Sequence, residues 1–350
     1  MIKRVLSFSV VCILLLASHG VHGQTGGDHA FLWTADGGMQ DLGVPNGYIE
    51  SFANAISRTG HVAGYLFNPN VEPSAAVWTQ QTGWRVLSKR LNPKYSIAYG
   101  INSAQQVVGV TYTSGTTIQH AFLWTAATGM QDLGTLGGGY SAAYGINEIG
   151  EVVGNSLTLS GESHAFLWTP AAGMQDLGVL NSGAANPMSV AYAINEKGVI
   201  VGFSTAKDGY GQAVLWENGG VHTLKGIGPD ANLEESGPMS AASAINNLGQ
   251  VAGSFDQSWP KQPSYPFLWS QQGGVINLGN LDGSTTGCAS VGINNSSEIA
   301  GYCGVAPGSQ EVFIWTSAGG LQSLGTMGGD DTFVTAINDA GQIVGYSILQ

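Results

Sequence analysis

Tryptophan closes a short apolar run seven times along this chain, at Trp33, Trp78, Trp124, Trp168, Trp216, Trp269 and Trp315, with steps of 44 to 53 residues. A repeat of this length, holding four short strand-like segments between glycine-rich turns, excludes most architectures. Each unit is too small to bury both faces of a sheet alone, so the units must pack on one another. The combination predicts an all-β fold, a seven-bladed β-propeller of four-stranded blades.

The third unit shows the pattern most clearly, as SAAYGIN (141–147), GEVVGNS (150–156), HAFLWT (164–169) and GMQDLG (173–178), here strands A, B, C and D. The slot of Asn147, which opens the A-B turn, holds Asn in six units and Ser57 in the first. Asparagine opens such a turn with its side-chain acceptor, and glycine closes it in the left-handed conformation. From this slot to the closing Gly of strand B is seven residues in every unit, and from Trp to the Leu of strand D is nine, eight only in Trp216 to Leu224. From that Leu to the next Asn slot the spacing varies from 14 to 22. Insertions therefore collect in the D-A connections, which share a face with the B-C connections. Length variation on one face of a repeat array is where binding sites are usually built.

Strand A alternates small residues such as Ser141, Ala143 and Gly145 with larger ones such as Tyr144 and Ile146. Period-two alternation predicts that the bulky face of one blade fills the small face of its neighbour, with the tryptophans extending the core outward. The mature chain starts with strands C and D and ends with A and B, half a blade at each terminus. Pairing the two halves closes the ring and removes two open edges. Residues 1–23 read as a signal peptide, with Lys3 and Arg4 before an apolar stretch too short to span a bilayer and a small-residue cleavage zone after it. Residues 24–350 are then a single propeller domain.

The formal charge of -12, which loses two more positive charges with the signal, repels phosphate backbones and anionic membranes. The mature chain is expected to be secreted or periplasmic, with no nucleic-acid partner and no membrane insertion. Of the three cysteines, Cys12 leaves with the signal. Cys288 and Cys303 occupy slots held elsewhere by Ser141 and Ser156 or Thr332 and Ser347, cross-strand neighbours in the A-B hairpin, and predict a disulfide in an export context.

At the strings HAFLW, GMQDLG, LGTLGG, GIN and GEVVG the sequence resembles the bacterial extracellular HAF repeat family, most strongly over 115–180. The resemblance implies export and tandem repeats, and it implies no defined activity, substrate or catalytic residues.

Candidate functional residues are few. His29, His120 and His164 share one slot, but that slot holds Ser74, Gln212, Tyr265 and Glu311 in the other units. A metal needs ligands converging on one ion, so these histidines, like Asp41, Asp132 and Asp176 of the D strands, read as structural or surface groups, and no metal or cofactor is expected. Trp84 stands in a slot held by Met130, Met174, Val275 or Leu321, an apolar packing position. Strand A, taken as 51–57 in the first unit, lacks Asp, Glu, His, Lys and Arg throughout, which argues against acid-base chemistry in a central channel. The exception to the regular pattern is the longest D-A connection, with Asp230, Glu234 and Glu235, which leads into the blade with the longest B-C loop, carrying Asp256 and Trp259. An aromatic ring beside carboxylates suits a sugar face and its hydroxyls, whereas Trp259 packed on Pro260 and Pro263 would simply cover the loop. The leading reading is a non-catalytic binding or structural module, acting on carbohydrate or a surface protein through the variable face. The alternative is an extracellular polysaccharide-acting enzyme using the loop carboxylates.

Overall fold

The computed structural model describes residues 27–87, 95–112, 116, 118–184, 186–227, 239–256, 264–281, 284, 287–306, 309–329 and 331–348. The signal segment 1–23 lies outside the described residues. Regular structure among them is entirely β. It begins with β1 (Asp28–Thr34) and β2 (Gly38–Asp41). The first full set is β3 (Glu50–Ile56), β4 (Val62–Asn68), β5 (Val71–Thr79) and β6 (Gly83–Val86), and the second is β7 (Ser96–Ile101), β8 (Val107–Tyr112), β9 (Gln119–Thr125) and β10 (Gly129–Asp132). The third is β11 (Gly137–Ile146), β12 (Val152–Thr158), β13 (Ser163–Thr169) and β14 (Gly173–Asp176), and the fourth is β15 (Ser189–Ile194), β16 (Ile200–Thr205), β17 (Gly211–Glu217) and β18 (Gly220–Thr223). The fifth is β19 (Ser240–Ile245), β20 (Val251–Asp256), β21 (Ser264–Ser270) and β22 (Gly274–Asn277), and the sixth is β23 (Gly287–Ile293), β24 (Ile299–Ala306), β25 (Ser309–Thr316) and β26 (Gly320–Ser323). The chain ends with β27 (Thr332–Ile337) and β28 (Ile343–Ile348).

Within each set, sequence neighbours pair antiparallel. The fifth and sixth sets join through one parallel pair, Ser264 with Gly287, and the last two strands complete a sheet with the first two in the order β2-β1-β28-β27. The first strands of the sets, β3, β7, β11, β15, β19, β23 and β27, touch in that order, and β27 touches β3. Hydrophobic clusters lie between adjacent sheets. One unites Val108 and Leu123 of the second set with Val152, Phe166 and Trp168 of the third. The residue of the HAFLW segment fixed at the centre is the phenylalanine: Phe31, Phe122, Phe166, Phe267 and Phe313 are fully buried, whereas Trp33, Trp78, Trp124 and Trp315 are only half-buried.

Every innermost strand carries the same register shift, between Ala143 and Gly145 in β11 and at the equivalent place in the other six. This bulge corrects the strict alternation expected from sequence, because the extra residue leaves the regular pleat. Tyr99, Tyr144 and Tyr192 occupy that position. They stay half-buried and touch across successive sets, with ring centroids 5.5 and 6.0 Å apart. The bulge also explains the closing glycine of strand B: a Cβ on Gly154 would overlap the Ala142 carbonyl, and its counterparts from Gly64 to Gly345 meet the same obstacle.

Strand D is short, so the strand C amide that points toward its missing continuation needs another acceptor. The next set supplies it: the Ala121 N–H donates to Ser141 Oγ at 2.8 Å, and that hydroxyl donates to the Gly134 carbonyl at 2.6 Å. Ser51, Ser96, Ser189 and Ser240 accept the equivalent amide in their sets. In the sixth set Cys288 takes this slot and is disulfide-bonded to its cross-strand partner Cys303. The one-residue deletion between Trp216 and Leu224 is a two-residue turn in which Asn218 and Gly219 both have positive φ, 51° and 78°, the type I′ geometry that Asn-Gly favours.

Candidate binding site at the centre of the ring

At the A-B end, the asparagines that open the turns do more than cap them. Each Oδ1 accepts within its own turn, as from Glu151 N to Asn147 at 2.9 Å. Each Nδ2 then donates to the turn carbonyl of the next set: Asn102 to Asn147, Asn147 to Asn195, Asn195 to Asn246, Asn246 to Asn294, Asn294 to Asn338 and Asn338 to Ser57, at 3.0 to 3.3 Å. Only the boundary between the first and second sets lacks this link, because Ser57 has no amide. There Asn54 Nδ2 donates to the Ala98 carbonyl at 2.7 Å instead. Turn chemistry alone does not require Asn over Asp or Ser at six slots, and that preference was the readable trace of the relay.

The residue after each of these slots forms a second rim. Glu148 accepts from Ser103 N and Oγ, Glu196 from Glu148 N, Asn247 from Glu196 N, Asn295 from Asn247 N, and Asp339 from Asn295 N. Arg58, the first-set member, reaches across to three carboxylates: Glu196 at 3.1 Å, Asp339 at 3.3 Å and Glu148 at 3.8 Å. Arg58, Glu196 and Asp339, with Ile56, Ile194 and Ile245, line a cavity of about 140 Å³. The rim carboxylates are engaged by backbone amides and one guanidinium, so this end is internally satisfied.

The opposite end, where the D-A and B-C connections lie, is different. Tyr95, Tyr99, Tyr140 and Tyr144 pack around Phe52, Tyr65 and Ile97, and Tyr95 stacks on Tyr112 with centroids 4.6 Å apart. Burial pushes the Tyr95 hydroxyl up to about 12 and those of Tyr65, Tyr99 and Tyr144 well above the ordinary range. These groups are neutral at any physiological pH and able to donate and accept. Tyr65, 2% exposed within this cluster, has a hydroxyl without a hydrogen-bond partner. Strand A of the first set begins at Glu50 rather than Ser51, which brings a carboxylate to this end. Burial raises its pKa, the nearby Asp28 adds to the rise, and His29 opposes it.

Of the residues singled out from sequence, Asp230, Glu234, Glu235 and Trp259 lie outside the described residues. Asp256 is the last residue of β20, 3% exposed, and accepts a hydrogen bond from Ser264 Oγ at 2.7 Å. Burial raises its pKa, which the Ser264 bond opposes. His29, His120 and His164 pair with Asp41, Asp132 and Asp176 through Nδ1 at 2.9 to 3.0 Å, and each aspartate accepts the amide of the glycine two residues on. In the sixth set Ser323 donates to Glu311 at the same two slots. The readable signal was joint substitution: units without His in one slot lack Asp in the other. Trp84 packs beside Trp78 against a buried cluster. Among the described residues, no group of three His, Cys, Asp or Glu side chains could hold a metal ion, and no helix is long and apolar enough to cross a membrane.

No family model matches the chain, and no curated protein matches it. Solved structures do. The β-propeller domain of the trilobed protease from Pyrococcus furiosus is similar over 82% of this chain and 88% of that one, at 9% identity and a TM-score of 0.52. A prolyl endopeptidase is similar over 83% of this chain at 12% identity and a TM-score of 0.55, with this chain spanning 45% of that protein. The six-bladed fucose lectin of Aleuria aurantia is aligned over 85% of this chain and 94% of its own, at 15% identity and a TM-score of 0.44. At such identities the likeness is one of fold. The chain has the architecture of β-propeller proteins.

Proposed function

We propose that this chain is an exported, seven-bladed β-propeller that acts as a non-catalytic binding module, engaging carbohydrate or a cell-surface protein through the face of its D-A and B-C connections. The blade count is supported by seven four-stranded sets whose innermost strands touch in a closed order. Export is supported by the Cys288–Cys303 disulfide and by the HAF repeat resemblance. One observation carries the choice of face. The A-B end is held by a relay of amides and by Arg58 on three carboxylates, whereas the other end carries the half-buried rings of Tyr95, Tyr99, Tyr140 and Tyr144.

The test is a glycan array and a panel of purified surface proteins, probed with the mature chain and with a Trp259→Ala/Glu234→Ala variant whose fold is checked by circular dichroism. Retention of a ligand that the folded variant loses is the expected result. Retention of nothing, or equal binding by both proteins, overturns the assignment of this face.

A further inference from the structure

We infer that the cavity at the A-B end is a binding site for a free α-amino acid with a small aliphatic side chain. The cavity lies at the opposite end of the innermost strands from the face proposed above, so the two sites stand independently. Each innermost strand closes with an isoleucine one residue before the Asn slot, and the rim residue stands one residue after it. Ile56, Ile194, Ile245, Ile293 and Ile337 therefore line the deeper part of the cavity, and Arg58, Glu196, Asn247, Asn295 and Asp339 line its mouth. The side chains of Arg58 and Asp339 are 41% and 34% exposed, so the mouth is open to solvent. The volume of about 140 Å³ is close to the ~150 Å³ of a cavity that admits benzene.

At this end the acceptors are satisfied and the donors are not. Glu196 and Asp339 each accept from a backbone amide and pair with Arg58. Arg58 uses Nη2 on Glu196 and Nε on Asp339 and Glu148, and among the described residues its Nη1 meets no acceptor. Asn247 takes the Glu196 amide on Oδ1, and its Nδ2 likewise donates to no described residue. Two open donors on one cavity suit a carboxylate. A carboxylate alone would meet Glu148, Glu196 and Asp339 against a single guanidinium, a net repulsion. An amine alone would find those carboxylates and leave both donors unanswered. An α-amino acid answers both needs. Its carboxylate accepts from Arg58 Nη1 and Asn247 Nδ2, its ammonium donates to the lone pairs that Glu196 and Asp339 have left, and its side chain rests on the isoleucines.

Isothermal titration calorimetry on the mature chain tests this directly, with alanine and valine as ligands and with isovalerate and isobutylamine as controls that keep the body of valine and one charged end each. Alanine or valine should bind, and both controls should bind at least about tenfold more weakly, the loss of a charge-assisted hydrogen bond. Asn247→Asp keeps the oxygen that accepts the Glu196 amide and replaces the amide donor by a carboxylate oxygen. It should fold as the parent does, by circular dichroism, and lose about tenfold in affinity. A purely structural role for Asn247 would leave binding unchanged. No binding of either amino acid, binding of isobutylamine or isovalerate as tightly as valine, or undiminished binding by Asn247→Asp each overturns the site. The Trp259→Ala/Glu234→Ala variant should bind the amino acid as the parent does, so a failure of this cavity and a failure of the opposite face are read separately.

Discussion

At the scale of single residues, the tightest constraint is the strand B glycine. The bulge in strand A pushes a carbonyl into the space a Cβ would need, so Gly154→Ala should destabilise the fold by about 3 kcal/mol, read as a lower urea midpoint. The Ser141 hydroxyl works in the opposite sense, filling a need. Ser141→Ala leaves the Ala121 amide and the Gly134 carbonyl unpaired and should cost about 2 kcal/mol by the same measurement. Glu50 gives a pH signature. Its folded-state pKa is raised, so the folded chain holds this proton more tightly than the unfolded one, and stability falls as pH rises through the raised value. Glu50→Gln should therefore melt higher than the parent at neutral pH. The difference should vanish below the ordinary carboxylate range, where both states are protonated. Melting curves across pH 3 to 8, a span of about five units around the ordinary value, would show whether the two lines converge on acidification.

Elements are joined by repeated devices, and the exceptions are informative. Six of seven set boundaries carry an asparagine link at the A-B end, and at the seventh, where Ser57 stands, Asn54 donates to the Ala98 carbonyl in its place. Ser57→Asn offers the missing amide to the Asn102 carbonyl and should raise stability by about 1 kcal/mol in chemical denaturation. A loss of stability would mean that the Ser57 contacts to Thr59 and His61 matter more than the relay. The His-Asp pairs, the serine staples and the I′ turn at Asn218-Gly219 were each visible in the sequence as residue types at fixed slots. Their partners were not, because spacing specifies which residues share a strand and says nothing about which atoms meet across a sheet boundary.

For the whole molecule, closure is the central property. The ends of the chain meet in the β2-β1-β28-β27 sheet, and Arg58 ties the first set to the third, fourth and seventh. Removing residues 332–350 strips two strands from that sheet and should produce an aggregating protein, since an unpaired β1 edge is exposed. Size-exclusion chromatography would report it. Arg58→Met should cost about 1 kcal/mol at low ionic strength and less at high salt, as expected for a partly exposed ion-pair network.

The repeat period, the fixed seven- and nine-residue spacings and the phasing of the two termini determined the all-β architecture, the four-stranded sets and the pairing of the chain ends, because each follows from local periodicity and turn chemistry. The disulfide was legible for the same reason, since cross-strand slots are fixed by hairpin register. Tertiary structure alone decided the bulge that sets Tyr99, Tyr144 and Tyr192 in a row, the asparagine relay, and the meeting of Arg58 with carboxylates 90 to 281 residues away. Those contacts depend on how rigid sheets are placed around a common centre, and a one-dimensional pattern carries no term for distance between strands of different sets. The candidate site shows the division plainly: sequence pointed to insertions on one face, and only the folded chain revealed Tyr95, Tyr99, Tyr140 and Tyr144 gathered around Phe52, Tyr65 and Ile97.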